Sequence, residues 1–299
     1  MNGTILTFYS FKGGVGRTMA LASVARLLAR EAHLTGERVL AVDWDLEAPG
    51  LHHYLLPAQN LQPDRPGVIE YFTLALKRSE NRKLPSYHPY LTPTPEPGLD
   101  LIKAGRFDGN YSSRVTTFRW QGLFDRWPRC FAEFQAALAR DYRYVLIDSR
   151  TGAADTAGIC TVLLPDKLVV MFTPNDQNLE GLKEIIPGVI RQRRRSPDER
   201  PLVVFPVPSR IDTLVYRDLS GRLDDFRDSL SEMFRRDYGL ETCDLRKHFE
   251  LAMLPYVPDY SYGEPRVVEE EEPGHPGSLK AAYQRLSIRL QRDVPWENG

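Results

Sequence analysis

The chain has 299 residues, of which 42% are hydrophobic and 26% charged, and its 39 Lys and Arg against 40 Asp and Glu give a formal net charge of −1. This profile is typical of a globular protein and excludes collagen-like, disordered and disulfide-scaffold classes. The near-neutral balance gives no overall attraction to nucleic acid or to an anionic membrane. Cys130, Cys160 and Cys243 are far apart in sequence and form no CxxC pair, so they predict reduced thiols in a cytosolic protein.

The N-terminal residues contain no basic segment followed by an apolar stretch, so we expect no signal peptide. The most apolar later stretch, residues 161–172, is interrupted by Pro165, Asp166 and Lys167 and is shorter than the roughly 20 residues of a membrane span. The sequence therefore predicts a cytoplasmic protein with no membrane partner.

Short runs of β-branched and apolar residues alternate along the chain with longer segments of helical periodicity. This alternation is typical of parallel strands joined by crossover helices. The expected strands are residues 4–10, 38–42, 99–102, 144–147, 167–172 and 202–207. The expected helices are residues 18–31, 129–140, 177–193, 218–238 and 279–292. Together they predict an α/β fold with a doubly wound, mostly parallel sheet of about seven strands flanked by helices.

Two stretches interrupt this pattern. Residues 57–97 are rich in proline and polar residues and predict an irregular insertion with one short helix at 68–77. The acidic run at 269–272 is followed by PGHPG and predicts an exposed acidic loop over about 264–277. Because no linker divides the chain, we expect a single domain over residues 1–299 that carries both insertions.

Residues 12–18 read KGGVGRT and lie between the first expected strand and the first expected helix. Glycines let backbone N–H groups converge on an anion without Cβ clashes, and a helix N-terminus adds a positive dipole. Thr18 offers a hydroxyl to a magnesium ion. Against the pattern GxxxxGK[ST], Phe11 replaces the first glycine and Arg17 replaces the lysine. The motif predicts a phosphate-binding loop, and the alternative is a tight strand-to-helix turn without a ligand.

Two other expected strands end in acidic residues. Residues 38–51 read RVLAVDWDLEAPGL, and strand geometry places Asp43 and Asp45 on one side, at the carboxyl edge where an α/β sheet binds ligand. The alternative for this pair is helix N-capping. Residues 144–152 read YVLIDSRTG, in which four apolar residues precede Asp148, as expected of a strand whose acid orders magnesium-bound water.

The segment SFKGGVGRT resembles the deviant Walker A loop, KGGxGK[ST], of the ParA/MinD group of P-loop ATPases, which includes the nitrogenase iron protein. The KGGVGR form resembles a variant branch of that group. The resemblance extends over nearly the whole chain, through the DxDLxxPG-like segment at Asp43, the hhhhDxxxG-like segment at Asp148 and a base loop near residue 255. It implies ATP and Mg²⁺ as ligands and a homodimer closed across ATP.

The resemblance also implies a role for each matched residue. Lys12 would reach the partner's nucleotide and stabilise developing charge, as an arginine finger does. Asp45 would position the attacking water, while Thr18, Asp43 and Asp148 would hold magnesium. The implied nucleotide-binding residues are Lys12, Gly13, Gly14, Val15, Gly16, Arg17, Thr18, Met19, Arg210, Pro255, Tyr256, Val257, Pro258 and Asp259.

The base specificity is less clearly defined by the sequence. Arg210 can stack on a purine ring, but Ser209 stands where relatives carry the asparagine that pairs with adenine. Asp212 resembles the acid of guanine-reading NKxD motifs, whereas a loop like that at residues 255–259 usually accompanies adenine. ATP is therefore favoured over GTP, and ordinary loop chemistry is the alternative for both segments.

Four features have a structural interpretation and a less favoured functional one. Adjacent His52 and His53 face different directions and cannot share a metal, so solvent-facing or capping roles are expected. Arg150 is expected to be exposed or ion-paired, with phosphate binding as its alternative. Residues 191–195 read RQRRR and would complement a helix dipole, or form a nonspecific DNA patch. The last helix would pack on the core, or anchor to a membrane.

The sequence thus predicts a magnesium- and ATP-dependent dimerising switch ATPase that hydrolyses ATP slowly and controls an unidentified regulatory or effector protein. One alternative is an ATP-binding pseudoenzyme, in which Arg17 grips ATP and the dimer persists without turnover. A second is a ParA-like DNA-partitioning ATPase, although nucleic acid is the less favoured partner.

Overall fold

The computed structural model describes residues 3–152, 158–196, 200–212, 219–261, 263–271 and 278–296. Its centre is a seven-stranded sheet. The strands are β1 (Thr4–Tyr9), β2 (Val39–Asp43), β3 (Leu91–Pro93), β4 (Leu99–Ile102), β5 (Tyr144–Asp148), β6 (Lys167–Phe172) and β7 (Val203–Pro208). Their order is β3-β4-β2-β5-β1-β6-β7, and all neighbours are parallel except the antiparallel pair β3 and β4. The predicted doubly wound, mostly parallel sheet is confirmed.

Helices cover both faces of this sheet. They are α1 (Arg17–Leu34), α2 (Leu51–Leu55), α3 (Val68–Lys77), α4 (Tyr111–Thr117), α5 (Trp120–Arg126), α6 (Cys130–Asp141), α7 (Asp176–Arg194), α8 (Leu219–Tyr238), α9 (Arg246–Ala252), α10 (Val267–Glu270) and α11 (Leu279–Leu290). All five helices expected from periodicity are present, and so is the short helix at 68–77. The unpredicted helices have seven residues or fewer, which is too short for helical periodicity to show.

Burial explains why the strands read as continuous apolar runs. Every residue of β2 and of β6 is buried, as expected for central strands with helices on both faces. On one face, α1 and α11 pack together through residues such as Leu28 and Leu286. On the other face, Trp44 and Phe72 join the aromatic residues of α5 and α6. The strands that carry the predicted acids are therefore fixed from both sides.

The last helix packs on the core, which was the favoured interpretation. In α11, Leu286 and Leu290 are buried in the same cluster as α1, whereas Ile288 is 61% exposed. Across the part of the chain that the structure describes, no helix combines the length and apolarity needed to cross a membrane.

The two insertions are more ordered than the sequence indicated. Residues 57–97 contain α3, but they also supply β3, which pairs with β4 at the edge of the sheet. A three-residue strand has no detectable alternation, and Pro93 is tolerated because the strand is an edge. The expectation of an irregular insertion with only one short helix was therefore incomplete.

The expectation of an exposed acidic loop holds for the exposure of Glu269 and Glu270 but was wrong about their conformation, because they lie on a short helix. Residues 267–270 form α10, in which Val267 and Val268 are buried. Glu269 pairs with Arg26, and Glu271 accepts hydrogen bonds from backbone N–H groups of the first turn of α11, among them that of Leu279 at 3.2 Å. The acidic run thus caps a helix and neutralises a buried arginine. Residues 272–277 of the expected loop lie outside the described residues.

Candidate functional site

The loop between β1 and α1 forms an open backbone turn at the carboxyl edge of the sheet. Gly14 and Gly16 have φ angles of 76° and 80°, a left-handed conformation that favours glycine. No heavy atom lies within 4 Å of where a Cβ would stand at Gly13 or Gly14. Gly16 begins the 18-residue helix α1 without a side-chain cap. Uncapped N–H groups at a helix N-terminus, preceded by an open glycine turn, suit an anion such as phosphate.

Phe11 shows why the loop can lack its first glycine. The positive φ angles of the loop belong to Gly14 and Gly16, so the backbone at Phe11 has no need of glycine. Its ring packs against Gly181 of α7, where an added Cβ would lie 2.4 Å from the ring. The phenylalanine therefore attaches the start of the loop to α7, and Gly181 provides the space for it.

The side chain of Arg17 lies beneath the loop and contacts two acidic residues. It is 7% exposed, its Nε donates to Asp148 Oδ1 at 2.5 Å, and its Nη2 donates to Asp45 Oδ2 at 2.8 Å. Nη1 lies 3.4 Å from Ser10 Oγ. Burial alone would lower the pKa of Arg17, but the charges and hydrogen bonds of Asp148 and Asp45 raise it above its ordinary value. The guanidinium is charged and held by the protein's own carboxylates.

Thr18 is joined to the same carboxylate. Its hydroxyl donates to Asp148 Oδ2 at 2.7 Å, and Asp148, the last residue of β5, is 1% exposed. The hydroxyl that a P-loop offers to magnesium and the acid expected to order magnesium's water are therefore adjacent.

Asp43 and Asp45 lie on the same side of the chain, with Trp44 packed on the opposite face 5.1 Å from the ring of Phe72. Asp43 is fully buried, and its Oδ2 accepts a hydrogen bond of 3.2 Å from the backbone N–H of Leu51 at the start of α2. Burial, followed by the charges of Asp148 and Asp45, raises the pKa of Asp43 well above its ordinary value. Burial also raises the pKa of Asp45, although Arg17 opposes this shift.

These residues suit a hard divalent cation. Hydroxyl and carboxylate oxygens are the ligands that Mg²⁺ prefers. Asp43 Oδ1 is buried and has no hydrogen-bond partner among the described residues, which leaves one oxygen of the cluster free for a ligand or its water. The hydrogen bond from Leu51 gives Asp43 a structural role as well, in line with the helix-capping alternative.

A pocket beside the phosphate loop brings together the two segments predicted to hold the base, around Arg210 and at residues 255–259. The segments are joined by backbone bonds, because Ile211 N donates to Leu254 O at 3.1 Å and Tyr256 N donates to Ile211 O at 3.0 Å. Arg210 is exposed with a φ of 54°, and its Cζ lies 5.5 Å from the ring centre of Tyr256. The pocket is lined by Val15, Gly16, Met19, Ser209, Arg210, Leu254, Pro255, Tyr256, Val257, Tyr260, Leu279 and Tyr283.

Some predicted base contacts are not in this pocket, and some lining residues were not predicted. Pro258 and Asp259 are exposed on the following turn. Ser209 is buried, and both its backbone N–H and its hydroxyl donate to Phe172 O. Of the unpredicted lining residues, Tyr260 directly follows the base loop at residues 255–259, but nothing in the sequence connects Tyr283 of the last helix with this site.

The outer residues of the loop have different environments. Lys12 is exposed, and its Nζ lies 5.4 Å from the ring centre of Phe11. Arg150 forms an ion pair with Glu47, in agreement with the favoured interpretation. Gly152 has a φ of 77°, and its backbone contacts the end of β1, since Tyr9 donates its hydroxyl to Gly152 O at 3.3 Å.

Two interpretations of basic side chains need correction. His52 is buried 3.9 Å from Asp43, and burial lowers its pKa to about 4, so only His53 is solvent-facing as expected. Within the run at 191–195, Arg193 is buried, and its donors reach the backbone oxygens of Val162 and Arg200. It joins α7 to its neighbours and does not belong to a surface patch, while Arg191, Arg193 and Arg194 all stand in the last turn of α7, where the dipole interpretation expected cations.

Comparison with known proteins places this architecture. No family model matches the sequence. A putative replication protein A from Sinorhizobium fredii is 35% identical over 103 residues, which are 33% of this chain and 22% of that protein. The match therefore spans about a fifth of the relative's length.

Similar solved structures cover almost the whole chain. Cyanothece McdA in complex with ATP is 14% identical with a TM-score of 0.68 and covers 97% of both chains. A putative plasmid partition protein from Borrelia burgdorferi bound to AMPPNP is 15% identical with a TM-score of 0.63, covering 98% of this chain and 100% of its own. MinD from Pyrococcus horikoshii complexed with Mg-ADP is 18% identical with a TM-score of 0.58, covering 97% and 96%.

These neighbours are ParA/MinD-family ATPases, and at this identity the likeness establishes the fold. The chain has the ParA/MinD-type P-loop NTPase fold, so the resemblance inferred from the motifs is confirmed at that level.

Proposed function

We propose that this chain is an ATP-dependent switch ATPase of the ParA/MinD type, which binds ATP with magnesium at residues 12–19 and dimerises across the nucleotide. The observation that carries the proposal is one continuous arrangement around the loop. The open turn of Gly13, Gly14 and Gly16 has the oxygen atoms of Thr18 and Asp148 beneath it and the pocket of Arg210 and Tyr256 beside it.

Each part of this arrangement suits one part of the ligand. Backbone N–H groups of the glycine turn and of the first turn of α1 would bind the phosphates. Arg210 would stack on the base, and Thr18 with Asp148 would hold magnesium. Magnesium, when bound, would neutralise charge on the phosphate oxygens. Nucleotide complexes of Cyanothece McdA and Pyrococcus horikoshii MinD support the assignment, because both share this fold.

Hydrolysis would depend on Asp45. Its carboxylate lies at the floor of the loop, 15% exposed, where it could accept a hydrogen bond from the attacking water. Catalysis of phosphoryl transfer consists mainly of positioning and charge neutralisation, so an oriented water is the protein's main contribution. Because Asp45 Oδ2 accepts a hydrogen bond from Arg17, turnover would be slow.

Dimerisation would depend on Lys12. Its side chain is exposed at the rim of the loop, where it could reach the nucleotide of a second copy. A cation supplied by a partner subunit stabilises transition-state charge in the same way as an arginine finger. The lifetime of the ATP-bound dimer would then determine how long a regulatory or effector protein is engaged.

One observation favours a second candidate, an ATP-binding pseudoenzyme. Arg17 contacts both Asp45 and Asp148, so the residues expected to orient water and metal are occupied by the protein itself. If this pairing persists with ATP bound, the dimer would form without turnover.

A DNA-partitioning role is the third candidate. Arg191, Arg194 and Arg195 are exposed at the end of α7, while Arg193 is buried. Three exposed arginines could neutralise phosphates, and binding would then weaken steeply as salt increases.

Two measurements separate these candidates. Single-turnover hydrolysis of ATP by the purified chain distinguishes a slow ATPase from a pseudoenzyme, because only the ATPase releases phosphate. Binding of a random-sequence DNA duplex at two salt concentrations tests the third candidate. Light scattering with a slowly hydrolysed ATP analogue tests the dimer, and an unchanged monomer mass would contradict it.

A further inference from the structure

The guanidinium of Arg17 fills the space between Asp148, which would hold the metal, and Asp45, which would position the water. It lies 2.5 Å from Asp148 and 2.8 Å from Asp45. Thr18, the third oxygen donor, is bonded to the other oxygen of Asp148 at 2.7 Å. Both oxygens of Asp148, one oxygen of Asp45 and the hydroxyl of Thr18 are therefore engaged within the chain.

Charge explains why this arrangement forms. Asp45 and Asp148 are largely shielded from water, and two shielded carboxylates repel each other unless a cation lies between them. A guanidinium is planar and always charged, and it donates along more than one edge, so one arginine can neutralise both. A lysine ammonium is a compact point charge without that fork.

We infer that Arg17 is the resident cation of the metal site: it occupies oxygens of Asp45 and Asp148 and yields them only when nucleotide arrives. The inference rests on the proposed function, since it concerns regulation of that same site. A hydrated divalent cation and the guanidinium compete for the same oxygens. Phosphate offers the guanidinium a second anionic partner, so metal and nucleotide should bind cooperatively, each strengthening the other equally.

Metal binding without nucleotide tests this directly. Mn²⁺ is titrated into the nucleotide-free full chain, and free Mn²⁺ is measured by electron paramagnetic resonance. We expect Arg17→Gln to bind Mn²⁺ about tenfold more tightly than the unmodified chain, or more, because the carboxylates are no longer occupied. Arg150→Gln is the matched control, since it removes a nearby arginine that pairs with Glu47, and it should bind Mn²⁺ as the unmodified chain does.

Arg17→Lys separates occupancy from a general effect of charge. If Arg17 acts only through its positive field, lysine should leave Mn²⁺ affinity unchanged. If the two-edged contact matters, lysine releases one carboxylate, and affinity should rise about threefold, a smaller gain than with glutamine. Equal affinity of the unmodified chain, Arg17→Lys and Arg17→Gln would overturn the inference.

Arg17→Gln leaves two acidic residues without a counter-ion and could fail to fold. Thermal unfolding therefore accompanies the titration. A lower melting temperature that saturating Mn²⁺ restores, more in Arg17→Gln than in the unmodified chain, is expected, because a ligand that binds only the folded state stabilises it. A folded Arg17→Gln variant whose melting temperature does not change with Mn²⁺ counts against the inference. If Arg17→Gln does not fold at all, the Mn²⁺ affinity of Arg17→Lys relative to the unmodified chain tests the inference instead.

Failure of the inference and failure of the proposed function give different results. Isothermal titration with MgATP on the same samples provides the distinction. ATP binding with equal Mn²⁺ affinities removes the resident-cation role and leaves the ATPase. A gain in Mn²⁺ affinity without ATP binding by any variant keeps the occupancy of the carboxylates by Arg17 and removes both the ATPase and the release of Arg17 by nucleotide.

Discussion

The rim and the floor of the loop each carry one cation, and the two have opposite environments. Lys12 at the rim is exposed, with the Phe11 ring as its neighbour 5.4 Å away. Arg17 at the floor is 7% exposed and bonded to Asp45 and Asp148. An exposed cation is free to meet another molecule, whereas a buried pair is committed to its own chain. The same short motif thus places one exposed cation and one buried, paired cation, and the proposed roles of the two differ accordingly.

Replacing Lys12 should have the largest effect of the variants considered. Lys12→Ala is expected to abolish ATP-dependent dimerisation and to reduce turnover by about 10³-fold or more, because a cation supplied across an interface acts on transition-state charge. ATP affinity of the monomer should change little. Light scattering with a slowly hydrolysed analogue reports the mass, and phosphate release reports the rate. If Lys12→Ala still dimerised with the analogue, the exposed cation at the rim would have no role in contact with a second copy.

Replacing Asp45 tests the floor of the loop, where the proposed role is in hydrolysis and not in dimerisation. Asp45→Ala should lower turnover by about 10²-fold or more while ATP stays bound, because the loss of water placement raises the barrier without removing phosphate contacts. Single-turnover phosphate release and ATP titration are measured together. Glu47→Ala, which removes an exposed acid nearby, is the control and should hydrolyse ATP at the unmodified rate. Unchanged hydrolysis by Asp45→Ala would show that another group positions the water.

Thr18 tests the metal ligands. Thr18→Ala should weaken ATP binding about tenfold when magnesium is present and much less when it is chelated, because the hydroxyl is proposed to hold the metal. Isothermal titration with and without chelator gives both affinities. Thr18→Ser keeps the hydroxyl and should restore binding. An equal loss in both conditions would assign Thr18 to packing alone.

Much of this site could be predicted from the sequence because local chemistry is visible in it. Each of these signals can be recognised within a single segment: glycines in left-handed conformations, such as Gly14 and Gly16, and acids at the ends of apolar strands, such as Asp148. The orientation of Arg17 could not be predicted in this way, because its partners Asp45 and Asp148 lie in segments that are distant in sequence. Tyr283 of α11 likewise reaches the base pocket only through tertiary packing.

The fold shows the same division. Long segments such as α7 and fully buried strands such as β6 carry enough periodicity to be recognised. The edge strand β3 has three residues, and α10 lies in a run of acids whose partners, Arg26 and the start of α11, are elsewhere in the chain. Elements that are short, or that are stabilised mainly by distant residues, leave little local pattern.

The contrast between buried and exposed side chains also applies to the dependence of stability on pH, through the buried histidine His248. His248 is fully buried, its Nε2 donates to Pro206 O at 2.7 Å, and its Nδ1 accepts from Arg289 at 3.2 Å. Burial lowers its pKa from 6.5 to about 3. Its neutral form therefore stabilises the fold above pH 6.5, and this contribution is lost as the pH falls, by about 1.4 kcal/mol per pH unit down to the folded pKa.

Urea unfolding between pH 7 and pH 4.5 measures this dependence. As the pH is lowered, the free energy of unfolding of His248→Gln should fall less steeply than that of the unmodified chain. The difference in slope should correspond to about one bound proton, because glutamine does not titrate. His53→Gln is the comparison, because burial and the charge of His52 lower the pKa of this exposed histidine as well, and it should flatten the slope less than His248→Gln does. Equal slopes for His248→Gln and the unmodified chain would exclude His248 as a contributor to acid sensitivity.

The surface ion pair of Arg150 and Glu47 should contribute least. Their side chains are 35% and 52% exposed, and exposed pairs contribute about 0–1 kcal/mol because solvent screens them. Arg150→Gln should therefore lower the free energy of unfolding by less than about 1 kcal/mol. A larger loss of unfolding free energy, measured by chemical denaturation, would show that Arg150 is a structural cation like Arg17.

Isothermal titration of the unmodified chain with MgATP tests the central claim most directly. We expect one ATP per chain, weaker binding when magnesium is chelated, and weaker binding by Asp148→Ala, whose carboxylate contacts both Arg17 and Thr18. Absence of ATP binding by the folded, unmodified chain would contradict the account, because the glycine turn and the acids beneath it would then have no phosphate to hold.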